Sequence, residues 1–173
     1  CDRRIIGVAP VVIDILNLRA SIAHHLDVYG KWAPAIADYE KLQIDQWLYT
    51  EEFSKLLDLI EPFHYREKLT MPKYIVNSAG DEFFVPDSSQ FYFKELDGPK
   101  YLRYVPNQSH AVYRSEDALL AIGAFYQMVI QNKELPQFSW NQKSVDEIEL
   151  HLESAPLEVN LWRAYNPKAR GFR

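Results

Sequence analysis

The sequence predicts an α/β fold, in which a parallel sheet with flanking helices is followed by the start of a β-rich domain. Two apolar runs, at 5–16 and around Ile75, are each followed by segments with helical spacing, as expected for strands buried on both faces. After Pro136 the apolar residues recur with period 2, which indicates half-buried antiparallel strands. We therefore predict one domain over 1–135 and the start of a second over 136–173.

Composition favours a folded, acidic protein. Of its 173 residues 47% are hydrophobic, which is enough for a sizeable core, and the net charge is -5. No cluster of Lys and Arg offsets the acidic balance, so we expect no nucleic-acid partner. No apolar run approaches the roughly 20 residues that cross a bilayer, and no signal peptide is visible. The only cysteine, Cys1, allows no internal disulfide, and the abrupt start before a predicted buried strand suggests a fragment.

The first predicted strand is rich in β-branched residues and ends near Ala9, because Pro10 interrupts it. Asn17 then follows as the predicted N-cap of a helix over 18–30. Gly30 is suited to end that helix, since glycine readily adopts the left-handed conformation of a helix terminus.

Two further helical segments are predicted at 35–47 and 50–60. The whole helical region 18–65 is rich in Tyr and Trp. Ordinary core helices are the favoured interpretation of this region, and a helical cap over a functional site is the alternative.

The second predicted strand, around Ile75, follows Pro72 and ends at the Gly80 turn. Asp81 then stands at the carboxyl end of this strand. In an open α/β sheet that edge collects ligands and catalytic side chains. Asp81 is therefore the first candidate site residue.

A helix over 87–96 is predicted next, followed by a strand over 100–105 and a polar loop that contains His110. A long helix over 115–131 closes the first domain. Its apolar residues recur at helical spacing and form one stripe. They are Leu119, Ile122, Phe125, Tyr126 and Val129.

The β-rich part begins after Pro136 with alternating apolar and polar residues. Two or three such strands without a partner are barely stable alone. We therefore expect the start of a β-sandwich-like domain that continues past Arg173, or a sheet docked on the first domain. The alternating apolar residues are Phe138, Trp140, Ile148, Leu150, Leu152, Val159 and Leu161.

Asp81 and His110 are predicted to meet at one edge of the parallel sheet, since one crossover connection separates their strands. An aspartate that orients a histidine, and a histidine that takes the proton of a serine, form two thirds of the Ser-His-Asp machinery. In α/β-hydrolases the chain order is Ser, then Asp, then His. The order found here predicts the carboxy-terminal half of an α/β-hydrolase-type sheet.

The nucleophile of such a machinery is not found in the sequence. In α/β-hydrolases the serine stands in a strand-to-helix elbow, often Gly-x-Ser-x-Gly. We expect the nucleophile upstream of Cys1. The serines that lack the glycine-flanked elbow are Ser21, Ser54, Ser78, Ser88, Ser89, Ser109 and Ser115.

Other polar and aromatic residues have simpler interpretations. Glu82 is expected to be a solvated neighbour of Asp81. His24 and His25 point about 100° apart on a helix, so they make a poor metal pair, and we assign no metal and no cofactor. An aromatic group after Asp81 is expected to serve core and helix packing. It comprises Phe83, Phe84, Phe91, Tyr92 and Phe93.

Four stretches of the chain, at 5–17, 77–93, 100–110 and 161–173, carry a family resemblance. Two of them read Asn-Ser-Ala-Gly-Asp-Glu-Phe-Phe-Val-Pro-Asp and Tyr-Val-Pro-Asn-Gln-Ser-His. The sequence resembles the PhoPQ-activated pathogenicity-related protein family, which includes the autocrine proliferation repressor proteins. The resemblance implies an α/β-hydrolase fold, a carboxy-terminal β domain and export to the periplasm or the cell exterior.

The resemblance also implies an acid at Asp81 and a base at His110, with the serine elbow and oxyanion-hole loop in an amino-terminal half that this chain lacks. The leading hypothesis is a serine-hydrolase-like protein that cleaves ester or peptide bonds, acting on a small-molecule or peptide substrate. The alternative is a secreted signalling or binding protein on a hydrolase scaffold. The oligomeric state stays open.

Overall fold

A short parallel sheet lies at the centre of the computed structural model, which describes residues 2–163, 165 and 167. Strand β1 (Lys73–Ser78) pairs in parallel with β2 (Lys100–Val105) over its whole length. On its other side, residues 8–12 run parallel to β1 through single bridges at Val8 and Val11. The chain is thus a mixed helix and strand protein with a small parallel sheet, compatible with the predicted α/β class.

The segment predicted as the first buried strand is irregular. Ile5 and Ile6 are 44% and 56% exposed, and only two residues of the segment form bridges. Pro10 has no N–H to donate, so the ladder with β1 lacks one bond there, although the Pro10 carbonyl accepts the Val76 amide at 3.0 Å and the Val12 amide donates to the Val76 carbonyl at 2.8 Å. The exposed start and the irregular pairing of the segment show that the prediction of a regular strand buried on both faces was wrong.

Five α-helices and five short 3₁₀ helices surround the sheet in the described part of the chain, and the longest 3₁₀ helix is Pro62–Lys68. The α-helices are α1 (Leu18–Tyr29), α2 (Ala37–Lys41), α3 (Ile44–Trp47), α4 (Glu51–Ile60) and α5 (Glu116–Ile130). The predicted helices at 18–30, 50–60 and 115–131 are therefore confirmed, with small shifts at their ends.

Helix α1 begins after Asn17 and ends at Gly30, which has a φ of 65°. The Asn17 side chain does not cap the helix, because its Nδ2 donates to the Phe91 carbonyl at 2.9 Å. Glu61 Oε2 accepts the Leu18 amide instead, at 3.2 Å. A carboxylate from a distant part of the chain thus takes the role predicted for Asn17.

Two predicted helices are broken into shorter pieces. The segment 35–47 divides at Gln43, whose φ of 52° is left-handed. The segment 87–96 forms the 3₁₀ helices Ser88–Phe91 and Phe93–Glu95. Its serine and aromatic residues have weak helix propensity, and Tyr92 between the two turns is buried.

Both faces of the sheet are covered by apolar side chains. One face packs against α5 through the buried cluster Val76, Val105, Val112 and Ala118. On the opposite face, Ile75 of β1 packs against Phe63, Tyr92 and Leu96. The helical region has a third cluster of its own, formed by Ile22, Leu48, Phe53 and Leu57.

After α5 the chain forms an antiparallel hairpin of β3 (Phe138–Gln142) and β4 (Ile148–Leu152), as the period-2 pattern predicted. Its apolar side chains Phe138, Trp140, Ile148, Leu150 and Leu152 are 41–60% exposed. The predicted strand at Val159 and Leu161 does not form. Cys1 and positions 164, 166 and 168–173, which include most of the last family stretch, lie outside the described residues.

Candidate functional site

The loops that follow β1 and β2 are tied together by hydrogen bonds. The Ala79 amide donates to the Val105 carbonyl at 3.1 Å, and the Gly80 amide donates to the Gln108 carbonyl at 3.1 Å. The Ser78 hydroxyl also donates to the Gln108 carbonyl. Parallel pairing of the strands brings both loops to the same edge of the sheet, and these bonds set the distance between them.

Asp81 and His110, the two predicted site residues, meet at this edge. The Nδ1 atom of His110 lies 3.0 Å from Oδ2 and 3.1 Å from Oδ1 of Asp81. The Asp81 side chain is 2% exposed and the His110 side chain 26% exposed. A carboxylate on Nδ1 favours the tautomer with the proton on Nδ1, which leaves Nε2 as an acceptor. The ring can therefore accept a proton at Nε2.

The Asp81 carboxylate is fixed by its own turn. Its Oδ1 accepts the amides of Phe83 at 2.7 Å and Phe84 at 3.2 Å. An aspartate that accepts amides two and three residues ahead forms a local turn that competes with regular structure. The chain therefore turns directly after β1, and the carboxylate is held where His110 approaches it.

Three residues beside Asp81 contact His110, and the sequence interpretation missed all three. Glu82 was expected to be solvated, but its Oε2 accepts the His110 amide at 2.9 Å. Phe83 stacks on the imidazole with ring centroids 4.0 Å apart and planes 30° apart. Phe84 meets the same ring edge-on at 6.0 Å. The only sign of these contacts in the sequence is that the three residues directly follow Asp81, and the spacing of residues does not show which of them reach His110.

A second buried carboxylate, Asp14, lies near the same edge. Its Oδ1 accepts the Tyr92 hydroxyl at 2.8 Å and its Oδ2 accepts the Tyr104 hydroxyl at 2.5 Å. Tyr92 in turn accepts from Asn77 Nδ2 at 3.3 Å. Burial raises the pKa of Asp14 to about 6, and the charge of Asp81 adds to this effect. Sequence reasoning gave Asp14 no role.

A small recess lies between α1 and the loop that follows Asp81. Its walls include Asp14, Ile22, His25, Trp32 and Phe84. Phe84 thus borders both the recess and the His110 ring. Burial lowers the pKa of His25, so this imidazole is neutral near pH 7 and its Nε2 accepts the Ala33 amide at 3.0 Å.

His24 also lies on α1, and its Nε2 is 2.6 Å from Oδ1 of Asp87. This contact links α1 to the loop after Asp81. The described side chains contain no group of three His, Cys, Asp or Glu residues that could hold a metal ion. The arrangement at the sheet edge is thus a hydrogen-bonded acid and imidazole without a metal-binding cluster in the described part.

Comparison with known proteins places the sequence in a family. The sequence model of the PhoPQ-activated pathogenicity-related protein family matches residues 1–173. The chain belongs to this family. The resemblance noted in the sequence is therefore confirmed, and the Asp81 and His110 loops are features of a PhoPQ-related protein.

A curated relative extends the comparison of this PhoPQ-related chain. The chain is 37% identical over 143 residues to autocrine proliferation repressor protein A of Dictyostelium discoideum. The aligned part covers 81% of this chain and 29% of that protein, so the chain spans less than a third of the relative's length. No solved structure matches the chain. None of the helices that the structure describes is long and apolar enough to span a membrane.

Proposed function

We propose that this chain supplies the acid and the base of a serine-hydrolase-like machinery, with His110 as general base and Asp81 as its orienting carboxylate. The observation that supports this proposal is the hydrogen bond of His110 Nδ1 to the buried Asp81 carboxylate. Both residues follow parallel strands, at the edge where α/β enzymes place their catalytic groups. The serine nucleophile belongs to a part of the protein outside this chain.

In the proposed mechanism, Nε2 of His110 takes the proton of a serine hydroxyl while the oxygen attacks the carbonyl carbon of an ester or amide. The imidazolium then returns this proton to the leaving group. Asp81 holds the ring in the required tautomer and stabilises its positive charge. The oxyanion hole, like the serine, comes from outside the chain.

The proposal includes the architecture of the whole protein. Residues 1–135 would be the carboxy-terminal half of an α/β-hydrolase domain, with the region 18–65 as a helical cap, and 136–173 would start a β-rich domain. The parallel sheet covered on both faces supports the first part. The recess between α1 and the loop after Asp81 supports the cap. The substrate would be a small molecule or a peptide, and the protein would act in the periplasm or outside the cell.

Activity measurements on the full-length protein test the proposal. Short-chain aryl esters and aminopeptide substrates are assayed with the wild type and with His110→Ala. Loss of a triad base costs on the order of 10³-fold or more in kcat. His64→Ala is the matched control, because His64 also pairs with an aspartate, Asp58, at 2.8 Å but on the surface. Equal activity of the wild type and His110→Ala would overturn the proposal.

A second function is favoured by the exposed hairpin. Its apolar residues lie on one face of two paired strands and are 41–60% exposed, and such surfaces often mark interaction sites. The curated relative is named as an autocrine proliferation repressor. On this alternative the protein is a secreted signalling or binding protein that keeps the scaffold without turnover, and His110→Ala would leave its function unchanged.

A further inference from the structure

Three consecutive residues of the turn after β1 hold His110 at three different points. Asp81 binds the ring nitrogen Nδ1, Glu82 binds the backbone amide and Phe83 covers one ring face. The contacts of Asp81 and Phe83 with the ring fix the side-chain torsion angles of His110. The Glu82 contact is different in kind, because it fixes the main chain from which the side chain starts.

The main chain at His110 needs such a contact. The residue lies in a loop between β2 and the 3₁₀ turn Val112–Arg114, without a neighbouring strand of its own. Its carbonyl accepts the Val112 amide at 2.9 Å. The His110 amide is thus bonded to Glu82 and the His110 carbonyl to Val112. A hydrogen bond from a backbone N–H to a carboxylate is charge-assisted, and such bonds are shorter and stronger than those between neutral groups.

We propose that Glu82 is a positioning residue for His110. The Glu82 carboxylate fixes the His110 backbone, so that the ring stays within hydrogen-bond reach of Asp81. The inference rests on the proposed function, since it assigns Glu82 a role in the activity of the proposed base. Without the carboxylate the His110 amide loses its acceptor. The main chain at His110, two residues beyond the Gln108 carbonyl that Gly80 and Ser78 hold, then shifts relative to the β1 turn.

Kinetics of three variants of the full-length protein test this role. A displacement of about 1 Å costs on the order of 10²-fold in rate, so we expect Glu82→Ala to lower kcat by about 10- to 100-fold with KM nearly unchanged. Glu82→Gln keeps an oxygen acceptor at the same distance and recovers most of kcat. Glu82→Asp keeps the charge but is too short, and behaves like Glu82→Ala.

The control is Glu95→Ala. Glu95 lies on the same connection between β1 and β2, but its carboxylate pairs with Arg66 at 3.1 Å, away from His110. We expect wild-type kcat from this control. A Glu82→Gln variant as slow as Glu82→Ala, or a Glu82→Ala variant with wild-type kcat, would overturn the inference.

A spectroscopic measurement separates this inference from the proposed function. The proton between His110 Nδ1 and Asp81 is followed by ¹H NMR of the full-length protein, which requires no turnover. We expect the signal in the wild type and in Glu82→Gln, and its loss or broadening in Glu82→Ala. If these signals behave as expected while no substrate is cleaved, the proposed function fails and the role of Glu82 stands. An unchanged signal in Glu82→Ala would refute that role.

Discussion

Two buried aspartates near one sheet edge have different partners, and the partners separate their roles. Asp81 accepts backbone amides and an imidazole that can become positively charged. Asp14 accepts the hydroxyls of Tyr92 and Tyr104. Two carboxylates in one region of a protein can take different roles when their environments differ. Asp81 is therefore suited to stabilise an imidazolium, and Asp14 to fix two tyrosines.

The raised pKa of Asp14 predicts a pH dependence of stability. Burial raises this pKa from 3.8 to about 6, so the folded state binds the proton more tightly than the unfolded state. The contribution of Asp14 to the free energy of unfolding is fully present below pH 3.8 and is lost as the pH rises through about 6. The loss is on the order of 2–3 kcal/mol. Denaturant unfolding at pH 4 to 7 checks this expectation.

Asp14→Asn is the informative variant, because the amide cannot ionise. We expect its free energy of unfolding to rise relative to wild type between pH 4 and 7. The control Asp38→Asn changes a carboxylate whose side chain is 86% exposed and pairs with Lys41, and it lacks this relative rise. Parallel wild-type and Asp14→Asn curves over this range would contradict the assignment of a raised pKa.

At this scale the sequence predicted the residues whose positions follow from strand ends, Asp81 and His110. The contacts of Glu82 and Phe83 depend on the direction in which the turn leaves β1, and spacing does not encode that direction. Asp14 was missed for another reason. Its partners Tyr92 and Tyr104 are more than 70 residues away, and only the folded chain brings them together.

Among the secondary-structure elements, α5 has clear local support. Its N-cap Ser115 accepts the Ala118 amide at 3.3 Å, and Glu116 and Asp117 stand in its first turn. Local caps of this kind are readable from sequence. The cap of α1 is not local, because Glu61 replaces Asn17, and the sequence therefore predicted the extent of α1 but not the group that caps it.

Removal of the α5 cap should destabilise the folded chain. Ser115→Ala leaves the Ala118 amide without its acceptor, and we expect a loss of about 1 kcal/mol in the free energy of unfolding. Ser139→Ala, on the polar face of β3, is the control and should stay within about 0.5 kcal/mol of wild type. Urea unfolding measures both, and equal values for the two variants would show that the cap contributes nothing.

The predicted strand over 5–9 and the predicted helix over 87–96 failed for different physical reasons. Ile5 and Ile6 are exposed, and Pro10 lacks the N–H that would continue the ladder with β1. Burial of Tyr92 against Asp14 fixes the segment after Asp81 in two 3₁₀ turns. Tertiary contacts outweighed local propensity in this second segment.

For the whole molecule, the chain is one part of a longer arrangement in the curated relative, of which it covers 29%. The parallel sheet, its two covered faces and the antiparallel hairpin were predictable from the period of the apolar residues. The exposed hairpin face was not, because periodicity shows which side chains share a face and not what covers that face. The central claim is that a serine outside this chain depends on His110.

A serine-directed fluorophosphonate probe tests this claim most directly. The full-length protein is labelled, digested and analysed by mass spectrometry to find the modified residue, with wild type beside His110→Ala and the surface control His64→Ala. We predict that one serine outside residues 1–173 is labelled in wild type and in His64→Ala, and that His110→Ala reduces labelling by at least about 10²-fold, because the base activates the nucleophile. No labelling of the wild type, or equal labelling of His110→Ala, would contradict the claim.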